Sequence, residues 1–357
     1  MGRNSILAGA LFLSIFSGCG FVGPPENNTL PEVCAVEGAG VADIHGSPFS
    51  ALEHNAQTVI YYSAEDRYAL LALPECRVEK LPDAAGRRGR GGIQVLPGGA
   101  QLLRSYAPTP GGEAEAGYVY WYSPNASVTP VALPADFFPD KREFPILSED
   151  GLWLAVLRTI RTPTENRNEI VMRNAATAET RIFWPRDTEI TWHELVAIDV
   201  TKQEIVLARG LREYLWIQFD GRVIRGPVNT GAVQAQPPTF RWAGDGWFAW
   251  DAYRDSGRYG FRLKTKSADR YVASEKLRSV NHAAIAPDAR HAAMSLQTQH
   301  GRLLWLRDAV AVIDMASGEE IFRRYLPRFT RTPVAFPGNA FFAYSEPERV
   351  RVLRLPD

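Results

Sequence analysis

From residue 48 onward the chain alternates short apolar segments with polar turn residues. Three segments show the pattern well: FPILSEDGLWLAVLR (144–158), TFRWAGDGWFAWDAY (239–253) and HAAIAPDARHAAMSL (282–296). Each has the pattern of a strand, a turn centred on Asp, Gly or Asn, and a very apolar second strand. Because Gly and Asn reach positive φ at little cost, such segments predict antiparallel hairpins with tight turns. No long amphipathic helix is predicted.

These hairpins recur along the chain. Their predicted turns lie 43 to 52 positions apart, near Asn55, Gly99, Gly151, Lys202, Gly246, Ala289 and Gly338. Each unit continues into a second hairpin, as in YVYWYSPNASVTPVAL (118–133) and VAVIDMASGEEIFRRY (310–325). Four strands per unit at a period in the forties are typical of the blades of a β-propeller. The pattern resembles WD-type and YVTN-type propeller repeats, most closely in IAPDARHAAMS and VIDMASGEEI.

The resemblance implies an all-β fold, a single β-propeller of four-stranded blades. Six units are complete, whereas the last, TPVAFPGNAFFAYSEPERVRVLRLPD, supplies only three strands. An open ring would leave exposed sheet edges, so we expect an N-terminal strand to complete the last blade. The segment VADIHG (41–46) is the candidate for this closing strand. Seven blades are therefore predicted, with six or eight as the alternative.

The first eighteen residues have the pattern of a targeting signal. Arg3 precedes an apolar run over residues 6–16, and the small residues Ser17 and Gly18 follow it. The next residue is Cys19, and FSGC resembles the lipobox of bacterial lipoproteins, although Phe16 stands where Leu is usual. The resemblance implies that Cys19 becomes the acylated N-terminus of the mature chain. The alternative is an ordinary secretory signal followed by a chance cysteine.

The domain organisation follows from these two patterns. Residues 1–18 are predicted to be a lipoprotein signal peptide, 19–40 a lipidated tether and 41–357 the propeller. The lipoprotein resemblance implies a lipid-anchored protein of the cell envelope. Gly20 stands after the cysteine, where Asp signals inner-membrane retention in some such lipoproteins, so the outer membrane is favoured if the cell has one.

Two further cysteines, Cys34 and Cys76, remain after Cys19. Exported compartments permit disulfides, and two leftover cysteines make an even number. We therefore predict a Cys34–Cys76 bridge that holds the start of the mature chain to the first blade. Two unpaired thiols are the alternative.

Composition and motifs limit the function classes. The chain has 40 Lys and Arg against 40 Asp and Glu, so no nucleic-acid partner is predicted. It has no G-x-S-x-G, H-E-x-x-H or S-x-x-K motif and no EF-hand loop, and its six histidines form no metal-binding spacing. No catalytic residue, cofactor or metal is predicted. His193 and Glu194, near the expected central channel, are the least implausible catalytic candidates.

The predicted binding surface comes from loop lengths. If the strands of a blade are named a to d from the axis outward, all b–c connections lie on one face of the ring. The longest predicted b–c loops cover residues 107–117, 159–168, 252–260 and 298–308. Insertions on one face of a repeat protein often mark its binding face, where Arg and Trp are frequent hot spots. The candidate binding residues are Arg161, Arg167, Arg254, Arg258, Arg302 and Trp305.

Two functions are consistent with these features. The first is an envelope lipoprotein whose monomeric propeller is a non-enzymatic platform for an unidentified envelope protein or complex, with the lipid anchor on the membrane. The alternative is an envelope hydrolase, or a binder of carbohydrate or another small ligand, that uses the central channel. The lack of catalytic motifs favours the first over the second.

Overall fold

The structure is a computed structural model. It describes residues 25–42, 55–83, 93–106, 118–134, 137, 145–148, 150–161, 166–184, 194–209, 213–229, 241–244, 247–253, 258–265, 267–276, 279–300, 305–326 and 332–356.

The strands form seven four-stranded antiparallel sheets. The first strand of the chain is β1 (Glu32–Glu37). Blades 1 to 4, from strand a to strand d, consist of β2 (Ala39–Val41), β3 (Gln57–Tyr62), β4 (Arg67–Ala72) and β5 (Arg77–Lys80); β6 (Ile93–Val95), β7 (Gln101–Tyr106), β8 (Tyr118–Ser123) and β9 (Val131–Ala132); β10 (Ile146–Leu147), β11 (Trp153–Arg161), β12 (Asn166–Asn174) and β13 (Thr180–Phe183); β14 (Glu194–Asp199), β15 (Glu204–Arg209), β16 (Glu213–Gln218) and β17 (Val223–Asn229).

Blades 5 to 7 continue the same order. They consist of β18 (Arg241–Gly244), β19 (Trp247–Tyr253), β20 (Arg258–Thr265) and β21 (Asp269–Lys276); β22 (Ser279–Ile285), β23 (His291–His300), β24 (Trp305–Asp314) and β25 (Glu320–Leu326); β26 (Val334–Ala335), β27 (Phe341–Glu346), β28 (Arg349–Arg354) and, as outermost strand, β1. The all-β fold with seven four-stranded blades is confirmed.

The last blade takes its outer strand from the N-terminal side, as expected, but from a different segment. Strand β1 pairs antiparallel with β28, with Val36 opposite Val350. The predicted VADIHG was wrong, because Val41 is buried in β2, the innermost strand of blade 1. The two sequences suit these places: AGV is small enough for the inner strand, whereas EVCAVE exposes Glu32 and Glu37 as an edge strand should. Residues 49–53, predicted to begin blade 1, lie outside the described residues.

The segment before β1 covers the outer edge of blade 6. Asn27 and Arg323 exchange both backbone hydrogen bonds, at 3.0 and 2.9 Å, and Tyr325 N donates to Glu26 Oε1 at 2.9 Å. Arg354 N then donates to Pro31 O at 2.9 Å on blade 7. Residues 26–37, which the sequence analysis assigned to the tether, therefore lie against the outer strands of two blades.

The predicted disulfide is present in the structure. Cys34 in β1 and Cys76 in the turn between β4 and β5 are bonded, with Cα atoms 6.4 Å apart. The bridge joins the outer strand of blade 7 to the outer turn of blade 1. It therefore spans the junction between the N-terminal and C-terminal blades.

The apolar core lies between the blades. Within the described residues, six buried clusters each join two consecutive blades. Between blades 6 and 7, the ring of Phe322 is 6.0 Å from that of Phe342 and 5.8 Å from that of Tyr344. Large aromatics fill the gap between twisted sheets, which accounts for their position in the strands.

The predicted a–b turns have the expected backbone conformation. Positive φ values occur at Ala56 (52°), Gly99 (79°), Gly151 (71°), Gln203 (54°), Ala289 (58°) and Gly338 (81°). Two of these residues lie one position after the predicted Asn55 and Lys202, and Gly246 lies outside the described residues. The turn geometry therefore requires positive φ even where the residue is not glycine.

Gly99 is the turn glycine that we expect to tolerate substitution least. A Cβ at Gly99 would lie 2.7 Å from Ala126 N and 2.8 Å from its Cα, whereas one at Gly318 would lie 3.8 Å from its nearest neighbour, and both residues have φ of 79°. Gly318→Ala should cost about 1 kcal/mol of unfolding free energy for the backbone conformation alone. Gly99→Ala should cost about 3 kcal/mol, because overpacking adds to it. Urea unfolding of both variants measures the difference, and equal losses would contradict the clash.

Candidate functional site

The face that carries the b–c turns is marked by two extended hairpins. Strands β11 and β12 have 9 residues each and β23 and β24 have 10 each, whereas β27 and β28 have 6. In blade 3 the residues beyond Leu157 and Ile170 pair only with each other, because β10 and β13 end before them. At 3.4 Å per residue, the extra pairs project roughly 10–13 Å beyond the flanking strands.

Four of the predicted binding residues lie on strands rather than in loops. Arg161 is opposite Asn166 in the blade 3 hairpin, and Arg167 is opposite Ile160. In blade 6 the paired residues are Trp305 and His300. The prediction of b–c loops was wrong at these positions, since the strands continue to pair after they leave the core.

The other predicted residues are placed less completely. Arg258 begins β20 and is paired with Lys276 in β21. Arg254, Arg302 and the whole loop 107–117 lie outside the described residues, as do the side chains of Arg161, Arg167, Arg258 and Trp305. What the structure establishes is that the backbone brings the blade 3, 5 and 6 hairpins to one face of the ring.

An ion-pair cluster on the same face was missed by sequence reasoning. Glu346, with a side chain only 8% exposed, accepts from Arg324 Nε at 2.7 Å, Arg349 Nη2 at 2.8 Å and Arg351 Nε at 2.9 Å. Arg351 Nη1 also bonds Glu32 Oε2 at 2.6 Å. The cluster therefore ties β25 of blade 6 to β27 and β28 of blade 7 and to the N-terminal strand.

The surrounding charges set the ionisation of this cluster. Burial alone would raise the pKa of Glu346, but the Arg349 hydrogen bond and the charges of Arg324 and Arg351 outweigh it and lower the pKa below its ordinary value. Burial and the nearby Glu346 carboxylate raise the pKa of Tyr344. Glu346 is thus held as a carboxylate, and Tyr344 as a neutral phenol.

The inner strands are joined by neutral hydrogen bonds between blades. Gln94 Nε2 donates to Pro145 O at 3.0 Å, and Leu147 N donates to Gln94 Oε1 at 2.8 Å. Val41 N donates to Ser345 Oγ at 2.7 Å. Of the two channel candidates, His193 lies outside the described residues and Glu194 begins β14, with no described side chain. In the part of the chain that is described, no three His, Cys, Asp or Glu side chains are grouped so that they could hold a metal.

His291 lies on strand b of blade 6, as predicted, and is buried. Burial lowers its pKa, and this outweighs the opposing charges of Asp288 and Asp314. His291 and Asp314 are also paired across the β23–β24 ladder. This arrangement fits the structural role expected for this histidine.

A second feature missed from the sequence is an exposed apolar flank on blades 2 to 4. Its members are large apolar residues on or next to the outer strands of these blades: Val131 (61% exposed), Ile182 (52%), Trp184 (46%) and Ile224 (37%). The segment RIFW (181–184) was a usable signal, because its apolar residues cannot all point to one face of a strand.

Comparison with known proteins establishes the fold alone. No protein-family model matches the chain, and no curated protein matches it in sequence. A structure of oligogalacturonate lyase in complex with manganese superposes with a TM-score of 0.56 at 10% identity, covering 93% of this chain and 96% of that one. The WD40 domain of SCAP from fission yeast gives 0.45 at 9% identity, covering 91% and 97%. Prolyl oligopeptidase B from Galerina marginata, bound to a macrocyclization substrate, gives 0.45 at 10% identity, covering 86% and 46%.

One further observation concerns membrane contact. Among the residues that the structure describes, no helix is both long and apolar enough to span a bilayer.

Proposed function

We propose that this protein is a lipid-anchored protein of the cell envelope whose propeller is a non-enzymatic platform for another envelope protein. The observation on which the proposal depends is the pair of extended hairpins of blades 3 and 6 on one face. These blades are three positions apart in a ring of seven, so the hairpins stand on nearly opposite sides of the axis. A partner that lies across this face would contact both.

The lipid anchor is proposed from the sequence, with acylation at Cys19. Several acyl chains are needed for stable attachment, since one chain alone binds membranes only weakly. A bacterial lipoprotein would carry them at this cysteine. The outer membrane is the proposed location if the cell has one, and the propeller itself is proposed to be a monomer.

Crosslinking at defined positions tests the platform. A photoreactive amino acid replaces Arg167 or Trp305 on the hairpins, or Thr177 or Ser317 on c–d turns of the same two blades at the opposite face. On irradiation of intact cells, we expect adducts to one common protein from both hairpin positions and none from the c–d turns. Adducts from the c–d turns alone, or none from the hairpins, would overturn the proposed surface.

A further inference from the structure

The point where the N-terminal segment leaves the propeller is fixed on blade 6. Strand β25 runs from the c–d turn towards the hairpin face, and residues 26 and 27 lie antiparallel to it, opposite Tyr325 and Arg323. The chain before Pro25 therefore leaves at the hairpin-face end of the outer edge of blade 6.

This exit point is firmly held. The Arg323 side chain is 1% exposed and bonds Glu320 through Nε at 2.7 Å and Nη2 at 2.5 Å. Downstream, Leu30 packs on the core between blades 6 and 7, and Cys34 is disulfide-bonded. The segment from Asn27 to Cys34 is thus attached to the propeller at several places along its length.

The connection from this exit point to Cys19 is short. Only six residue steps separate Cys19 from Pro25, and a fully extended chain of that length spans about 20 Å. A domain of this size has a radius of gyration of about 20 Å, and hence a diameter more than twice the length of the connection. An anchor at Cys19 therefore cannot let the propeller turn every side to the membrane.

We propose that the propeller stands on the outer edge of blade 6, with this edge against the headgroup layer of the bilayer and blades 2 to 4 directed away from it. The proposal rests on the acylation of Cys19 put forward above. The outer edge of blade 6 needs the least of the connection to reach the bilayer. A ring lying on its hairpin face would first be held off by the projecting hairpins, which take up roughly 10–13 Å.

The surface chemistry agrees with this orientation. The described residues at the proposed contact are polar and exposed: Glu26, Asn28 and Thr29. They suit hydrated headgroups and do not provide apolar side chains for insertion. By contrast, Val131, Ile182, Trp184 and Ile224 are all on blades 2 to 4, where the aqueous space keeps them accessible to protein.

Energy transfer to labelled lipid headgroups tests the orientation. The acylated full-length chain is reconstituted in phosphatidylethanolamine/phosphatidylglycerol vesicles with a fluorescent amino acid at Asn28 or at Thr177 on blade 3. We expect several-fold greater transfer from Asn28. A Gly/Ser insert of about 40 residues between Gly23 and Pro24, which adds roughly 35 Å of reach, should remove most of the difference.

The outcomes separate the orientation from the anchor. Flotation of the chain with the vesicles, together with mass spectrometry of Cys19, establishes acylation independently. Acylated protein that floats but gives equal transfer from both positions would refute the edge-on orientation alone. Protein that carries no lipid on Cys19 and does not float would overturn both the anchor and the orientation.

Discussion

Replacing Cys34 and Cys76 by alanine should lower the free energy of unfolding by about 4 kcal/mol. The bridge links residues 42 positions apart, so its loss releases a long loop in the unfolded chain. In the folded state the same bridge joins the outer strand of blade 7 to blade 1. We therefore expect the double variant to unfold at a clearly lower urea concentration, with backbone amides of β1 exchanging fastest.

The single variants provide the control. Cys34→Ala, Cys76→Ala and the double variant should lose nearly the same free energy, because any one of them removes the whole bridge. A thiol reductant should lower the unfolding midpoint of the natural protein and leave that of the double variant unchanged. If reduction leaves the natural protein unaffected, the bridge does not stabilise the fold.

The blade architecture was predictable from sequence because its signals are local. A positive φ is needed at each a–b turn, so Gly99, Gly151 and Gly338 mark the hairpins directly. The identity of the outer strand in the last blade was not predictable in the same way. Both EVCAVE and VADIHG suit a strand, and only the pairing of Val36 with Val350, far along the chain, separates them.

The candidate site was predictable in place but not in form. Loop lengths correctly indicated unusual b–c connections in blades 3 and 6, yet the extra residues there continue the ladders. Whether Arg161 pairs with Asn166 depends on register, which residue counting does not provide. The Glu346 cluster was missed because Arg324 comes from the neighbouring blade, although Arg349 and Arg351 are close in sequence.

The length of the tether shows how a local interpretation can mislead. A Pro- and Asn-containing segment next to a signal sequence is typical of a flexible connection, so residues 19–40 were assigned to one. The structure shows backbone pairing from Asn27 onward. The shorter connection then restricts the orientation of the propeller, a consequence that the sequence alone did not suggest.

Glu346→Gln should lower the free energy of unfolding at neutral pH by about 3 kcal/mol. The substitution keeps the shape of the side chain but leaves three guanidinium groups around a neutral amide, with blades 6 and 7 less firmly joined. The value is at the low end for a buried ion pair, since Arg324 and Arg349 are about a third exposed. Urea unfolding at pH 7 measures the loss.

The pH dependence identifies the carboxylate as the cause. Because folding lowers the pKa of Glu346 below its ordinary value of 4.5, its charge stabilises the fold above that pH, and the contribution is lost as the pH falls through the folded-state pKa. The difference between the natural protein and Glu346→Gln should therefore shrink on acidification below pH 4.5. Glu65→Gln is the matched control, since the Glu65–Lys80 pair is nearly half exposed and should contribute less than about 1 kcal/mol at any pH. A Glu346 variant that behaves like the Glu65 variant would mean that the cluster adds no more than an ordinary surface ion pair, and that apolar packing such as Phe322 on Phe342 joins these blades.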